Sequence, residues 1–155
     1  MDREDLIEFE KLEKVIDIED FPNRLMYDRL VKSCISFTYT HLLTEDNLQK
    51  LNVNYEDADK MRVYTDKAKA FFFDRNINST ELFRAGIATW EAHDKSDGPT
   101  KALFRFIVML CNEYNPADEK TMQDPYLFYY FAVLADVGVG YCAQFRRFLL
   151  QELSQ

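Results

Sequence analysis

Histidine and cysteine, the side chains best suited to nucleophilic or metal chemistry, are few in this chain and far apart in sequence. There are two histidines, His41 and His93, and three cysteines, Cys34, Cys111 and Cys142. A catalytic cysteine needs a nearby base to form its thiolate, and the closest pair, Cys34 and His41, lies about two helical turns apart. No Cys-x-x-Cys pair and no zinc-type spacing occurs in the sequence. We therefore expect reduced thiols in an apolar core, as in an intracellular protein.

Acidic side chains and one histidine cluster near the predicted end of a helix. If that helix frays, four side chains could surround a cation: Glu91, His93, Asp94 and Asp97. The simpler alternative is an ordinary helix C-terminus, where the helix dipole favours a histidine such as His93. We predict no bound metal, and keep the Glu91–Asp97 cluster as one candidate site for a small enzyme.

Asp136 is the other candidate catalytic group, because it is the only charged residue between Tyr126 and Ala143. A carboxylate in so apolar a segment is expected to be buried, and a buried carboxylate must be paired or hydrogen-bonded. It would then be a polar link between helices or, alternatively, a proton-transfer group with a raised pKa. No second acid at helical spacing completes a catalytic pair.

Motifs for nucleotide or acyl chemistry are missing from the sequence. There is no GxGxxG, no GxxxxGK[ST] and no GxSxG. The 13 Phe and 9 Tyr residues leave room for an apolar ligand pocket, in which His41 could be a haem ligand. Aromatic side chains at helical spacing more often form a core. We predict no cofactor, and keep a ligand- or cofactor-binding sensory bundle as an alternative.

The negative charge is concentrated at the N-terminus. Residues 1–20 hold nine acidic and three basic side chains, which is −6 of the formal net charge of −8. Such a balance opposes direct nucleic-acid binding and suits a basic protein partner. The predicted partner-binding residues are five acids and one aromatic anchor: Glu4, Glu8, Glu10, Glu13, Asp17 and Tyr55.

The elements that must position these groups all show helical periodicity. Apolar spacing predicts helices over residues 2–17, 22–43, 54–73, 78–93, 99–114 and from 125 to about 151–153, with a short helix or turn at 44–51. Asn54 and Asn78 are predicted N-caps, and Pro22, Pro99 and Pro125 suit first helical turns. The side chains expected to face the core include Leu6, Phe9, Leu12 and Ile16 in the first helix, and Leu82, Phe83, Ile87 and Trp90 in the helix at 78–93.

The last predicted helix is apolar on every face from residue 126 to 143. It suits a central core helix better than a membrane span, because 18 residues is near the minimum length and Asp136 would lie near the bilayer centre. Gly138 and Gly140 are poor helix formers. They mark a tight crossing, a kink or a break in this helix.

Together these features predict an all-α protein with one domain over residues 1–155. We expect a compact bundle of six or seven helices around a central apolar C-terminal helix, with the acidic segment 1–20 at its edge. The function predicted is a cytoplasmic, non-enzymatic interaction module of the inhibitor, immunity, antitoxin or anti-defence type, which occludes a basic surface of a partner protein. A sensory bundle, or a small enzyme using Asp136 or the Glu91–Asp97 cluster, is the alternative.

Overall fold

Helices make up the regular structure throughout the parts of the chain that the structure describes. The structure is a computed structural model, and it describes residues 2–14, 24–118 and 126–153. Eight α-helices and no strand occur there, one helix more than the upper end of the expected six or seven. They are α1 Arg3–Glu13, α2 Arg24–Phe37, α3 Glu45–Lys50, α4 Tyr55–Phe72, α5 Ser79–Asp94, α6 Gly98–Leu110, α7 Tyr126–Val137 and α8 Tyr141–Leu153. A π-helical turn, Thr38–Leu42, continues α2.

The helix starts follow the capping residues in the sequence. The side-chain oxygen of Asn54 accepts the N–H of Asp57 at 2.8 Å, and that of Asn78 accepts the N–H of Glu81 at 2.9 Å. Each bond satisfies a backbone donor that the first helical turn leaves without a partner. Both predicted N-caps are therefore confirmed, and the short helix expected at 44–51 is α3.

The centre of the bundle is formed by α6 and α7. Helix α6 packs mainly against α5 and α7, and it also contacts α4 and α2. Its large apolar side chains are buried, namely Leu103, Phe104, Phe106, Ile107 and Leu110, as is Cys111 at its C-cap. The aromatic rings of α6, α7 and α8 meet there, with the Phe106 and Tyr130 ring centroids 5.2 Å apart and those of Phe131 and Phe145 also 5.2 Å apart. The cysteines Cys34, Cys111 and Cys142 are buried thiols without a disulfide.

The helix predicted from about residue 125 to 151 is two helices, α7 and α8, so that of the three alternatives for Gly138 and Gly140 the structure shows the break. Gly140 has a backbone φ of 91°, which residues other than glycine rarely adopt. The turn at 138–140 leaves helices of 12 and 13 residues. A span of the hydrocarbon core needs about 20 residues, and within the described ranges no helix is both long and apolar enough to cross a membrane.

Helix α5 faces the core with a different side from the one expected. Leu82 is buried as predicted, but Phe83, Ile87 and Trp90 are 67%, 45% and 44% exposed. The buried face consists of Leu82 and smaller residues, namely Ala85, Gly86, Thr89 and Ala92. Small residues let α5 and α6 approach closely. The large apolar side chains therefore predicted the wrong core face, because the close approach of α5 to α6 requires small residues between them.

Helix α1 is joined to the C-terminal helices by its apolar face. Phe9 and Leu12 are buried, and the Phe9 ring lies edge-on to Phe128 and Phe131 at centroid distances of 5.4 and 5.5 Å. Leu6, expected to face inward, is 39% exposed. Ile16, also expected to face inward, lies outside the described residues.

Candidate protein-interaction surface

An acidic groove lies between the start of α1 and the break that separates α7 from α8. Its volume is about 200 Å³. Four acidic residues of α1 and its N-cap line one side: Asp2, Glu4, Asp5 and Glu8. The opposite side consists of small or apolar residues around the break, namely Ala135, Gly138, Val139, Gly140 and Ala143.

The first turn of α1 supplies the acidic wall for a local reason. Asp2 is the N-cap, and its carboxylate accepts the N–H of Asp5 at 2.9 Å. Glu4 and Asp5 follow in the first turn, where the positive end of the helix dipole stabilises negative charge. The same charges that stabilise the helix start are thus concentrated at the groove.

Glu8 fixes this wall to α8. The Arg146 guanidinium donates a hydrogen bond to Glu8, and the Lys11 ammonium lies 3.5 Å from the other carboxylate oxygen. Burial raises the pKa of Glu8, but the hydrogen bond and charge of Arg146, together with Lys11, outweigh it and lower the pKa below its usual value. Glu8 is therefore ionised, and its pair with Arg146 joins α1 to α8.

Asp5 is partly buried at the groove, and its pKa is raised above the usual value. Burial raises its pKa, the Cys142 thiol opposes this through a hydrogen bond, and Asp2 nearby raises it further. A cation placed in the groove would favour the ionised form of Asp5, because an opposite charge at short range lowers a carboxyl pKa. The site is thus electrostatically suited to a basic side chain.

The break contributes apolar surface to the same groove. Val139 is 87% exposed, the largest exposure among the large apolar side chains of the described residues. It lies between two glycines that line the groove. A basic residue with an apolar neighbour would match this combination of carboxylates and exposed valine.

The structure places the predicted partner-binding residues at different locations. Glu4 and Glu8 line the groove. Glu10 is exposed on α1 outside the groove lining, and Tyr55 is 82% exposed at the start of α4. Asp17 lies outside the described residues, as does the side chain of Glu13. Sequence reasoning missed the five residues at 135–143, although the Gly-Val-Gly sequence was a signal for a break there.

Asp136 does not have the environment predicted for a catalytic acid. Its side chain is exposed, and helix α7 ends one residue later, at Val137. The prediction of a buried carboxylate was wrong because one face of this apolar segment reaches solvent.

Helix α5 does not fray in the way that would let the side chains of the Glu91–Asp97 cluster surround a cation. Helix α5 continues to Asp94, and His93 Nδ1 lies 3.0 Å from the Asp94 carboxylate. Glu91 and Asp97 are both exposed. Among the residues that the structure describes, no three histidine, cysteine or acidic side chains come together as a metal site.

His41 lies in the π-helical turn, between two aromatic rings. Its ring stacks on Phe37 at a centroid distance of 4.8 Å and meets Phe148 edge-on at 5.5 Å. Thr40 Oγ1 lies 2.7 Å from His41 Nδ1. Burial lowers the pKa of His41, so the imidazole is predominantly neutral at pH 7.

A second cleft, of about 270 Å³, lies between α2, the end of α4, the start of α5 and the segment that follows α6. Its charged groups interact with each other: Arg75 pairs with Asp28 at 3.4 Å, and Ser79 donates a hydrogen bond to Glu113. These pairs satisfy the polar lining within the protein. In the acidic groove Glu8 is likewise paired, with Arg146 and Lys11, but Asp2 and Glu4 are exposed to solvent.

Comparison with known proteins does not change this choice of site. No family model, curated protein or solved structure matches the chain. The groove is therefore interpreted from its own geometry.

Proposed function

We propose that this protein is a non-enzymatic interaction module that binds a basic segment of a partner protein in the acidic groove. The observation that supports this most directly is that four acidic residues line one groove together with the exposed Val139. Complementary charge increases the association rate and selects the partner. Burial of the valine would add an apolar contact that salt does not screen.

The four carboxylates would have different roles in binding. Asp2 caps α1, and Glu8 is engaged by Arg146 and Lys11, so both are partly committed to the fold. Glu4 is exposed at the groove and has the freedom to meet an arriving Lys or Arg. Asp5, between them, would gain most from a nearby positive charge because burial disfavours its ionised form.

The mode of action proposed is occlusion. A basic protein surface that takes an acidic ligand, such as a nucleic-acid backbone, would be covered by a chain with a net charge of −8. This is the behaviour expected of an inhibitor, immunity or antitoxin type of protein, and of a cytoplasmic one.

The test uses a defined basic probe, a tri-arginine peptide with neutral ends, followed by NMR of the labelled protein. We expect the backbone amides of Gly138, Val139 and Gly140 to shift on titration. These shifts should become smaller as salt is raised from about 0.05 to 0.5 M. The reason is that the Debye length, about 10 Å at 0.1 M, shortens as salt is added and screens the charges. A tri-glutamate peptide should leave these amides unchanged.

Two variants of the same helix separate the groove from a diffuse acidic surface. Glu4→Lys reverses a charge in the groove, whereas Glu10→Lys makes the same change on α1 outside the groove lining. We expect Glu4→Lys to weaken peptide binding about tenfold, as the loss of one close charge pair predicts, and Glu10→Lys to have a much smaller effect. Equal losses in the two variants, or peptide-induced shifts elsewhere in the protein, would contradict the groove as the binding site.

A further inference from the structure

The outer face of α5 carries a row of large apolar side chains that the fold does not bury. Phe83, Ile87 and Trp90 are 67%, 45% and 44% exposed, and we call them the α5 stripe. They are spaced by four and then three residues, so they lie along one side of the helix. This is the spacing with which one helix packs along another in a coiled coil.

Charges of opposite sign border the α5 stripe. Arg84 follows Phe83 directly and Glu91 follows Trp90 directly, so both lie along the same edge of the stripe, about two turns apart. Both are exposed. The edge is therefore positive near the start of the helix and negative near its end.

We propose that this surface binds a second copy of the same chain, with the two α5 helices antiparallel. A two-fold axis near Ile87 would bring Phe83 of each copy against Trp90 of the other. The same rotation would bring Arg84 of each copy near Glu91 of the other, which forms two ion pairs. A parallel pairing would instead put this edge of the two copies on opposite sides of the contact, so that Arg84 of one copy would not meet Glu91 of the other. The charge pattern thus selects the antiparallel arrangement, and a two-fold contact of this kind closes as a dimer.

The size of the stripe predicts a weak and reversible dimer. Large aromatic side chains carry roughly 150–250 Å² each, so the partly exposed stripe offers on the order of 300 Å² per copy. With the flanking side chains, the contact stays below the roughly 1,200 Å² of total area at which standard stable interfaces begin. Association is therefore expected at micromolar concentrations or above.

Trp90 makes the proposal directly measurable, because it is the only tryptophan in the sequence. Sedimentation velocity should show a monomer that converts to a dimer as the protein concentration rises. Over the same range, the Trp90 emission should move to shorter wavelength as the indole leaves water. The two signals should give the same dissociation constant.

Matched variants locate the contact. Ile87→Asp should abolish the dimer without unfolding the chain, because Ile87 is already partly in water. Ile7→Asp makes the same change at a side chain that is 38% exposed on α1, outside the α5 stripe, and it should dimerise like the unaltered protein. Arg84→Glu and Glu91→Arg should each weaken the dimer about tenfold, and the double variant should recover most of that loss.

Three outcomes would overturn the proposal. They are a monomer at every concentration up to about 1 mM, a dimer that survives Ile87→Asp, or a double charge variant no better than its two parents. The first would rule out self-association through the α5 stripe, and the second would place the dimer contact elsewhere. None of them bears on the acidic groove, which involves other residues.

Discussion

His41 shows how one partly buried side chain can make stability depend on pH. Its pKa in the folded protein is lowered by burial between Phe37 and Phe148. The unfolded chain, with the ordinary value of 6.5, therefore takes up a proton first as the pH falls. Protonation below that value favours the unfolded state, so stability is lost toward acid pH.

We expect His41→Phe to reduce this acid sensitivity. The substitution keeps an aromatic ring against Phe37 and removes the protonation, at the expense of the contact with Thr40. Thermal unfolding followed by circular dichroism between pH 7 and 5 should show a smaller fall in Tm than in the unaltered protein. The same fall in both proteins would mean that other groups cause the acid sensitivity.

At the scale of helices, two glycines have opposite roles. Gly86 lies within α5, and a Cβ added there would meet Cys111 Cβ at 3.5 Å, an ordinary contact distance. Gly140 has open space around it but a φ of 91°. Packing therefore permits a side chain at residue 86, and the backbone resists one at residue 140.

Substitution by alanine should change stability in opposite directions at these sites. We expect Gly86→Ala to raise the free energy of unfolding by about 0.5–1 kcal/mol, the difference in helix propensity. Gly140→Ala should lower it by about 1–2 kcal/mol, because the backbone conformation is strained for alanine. Urea unfolding of the two variants measures both, and the same sign for both would refute this account of the turn.

The helices of this protein could be predicted from sequence better than their orientation could. Local signals, such as the caps Asn54 and Asn78 and the strongly apolar α6, act within a few residues and determined most helix starts. The orientation of α5 depends on which side fits closely against α6, which is a property of the pair. For that reason the size of Phe83 and Trp90 predicted the wrong core face.

The candidate site was only half predictable for a similar reason. The acidic wall is a run of charges in one segment, so composition pointed to Glu4 and Glu8. The opposite wall is more than 120 residues away in sequence and forms only because α1 packs against α7 and α8. Gly138 and Gly140 indicated a break, but nothing in the sequence indicated what would lie beside it.

At the scale of the whole molecule, the Glu8–Arg146 pair joins α1 to α8, two helices that are far apart in the sequence. The lowered pKa of Glu8 means that the pair stabilises the fold above the ordinary carboxyl value of 4.5. This contribution is lost as the pH falls through the lower value in the folded state, because protonation removes the charge that Arg146 binds.

We expect Glu8→Gln to lower the free energy of unfolding by about 1 kcal/mol at pH 7, the scale of a partly exposed charged hydrogen bond. The difference in free energy of unfolding between Glu8→Gln and the unaltered protein should become smaller below pH 4.5. Urea unfolding at several pH values tests this, with Glu10→Gln on the exposed side of α1 as the control. A constant difference across that range would show that the charge of Glu8 is not responsible.

The packing of α1 on the C-terminal helices also has a consequence for synthesis on the ribosome. Phe131, which packs against Phe9, is translated 122 residues after it. At roughly 5–20 residues per second, that delay is roughly 6–24 s. During this interval Phe9 and Leu12 have emerged without the helices that bury them. The net charge of −6 on residues 1–20 is expected to oppose self-association of this segment during the interval, because like charges repel.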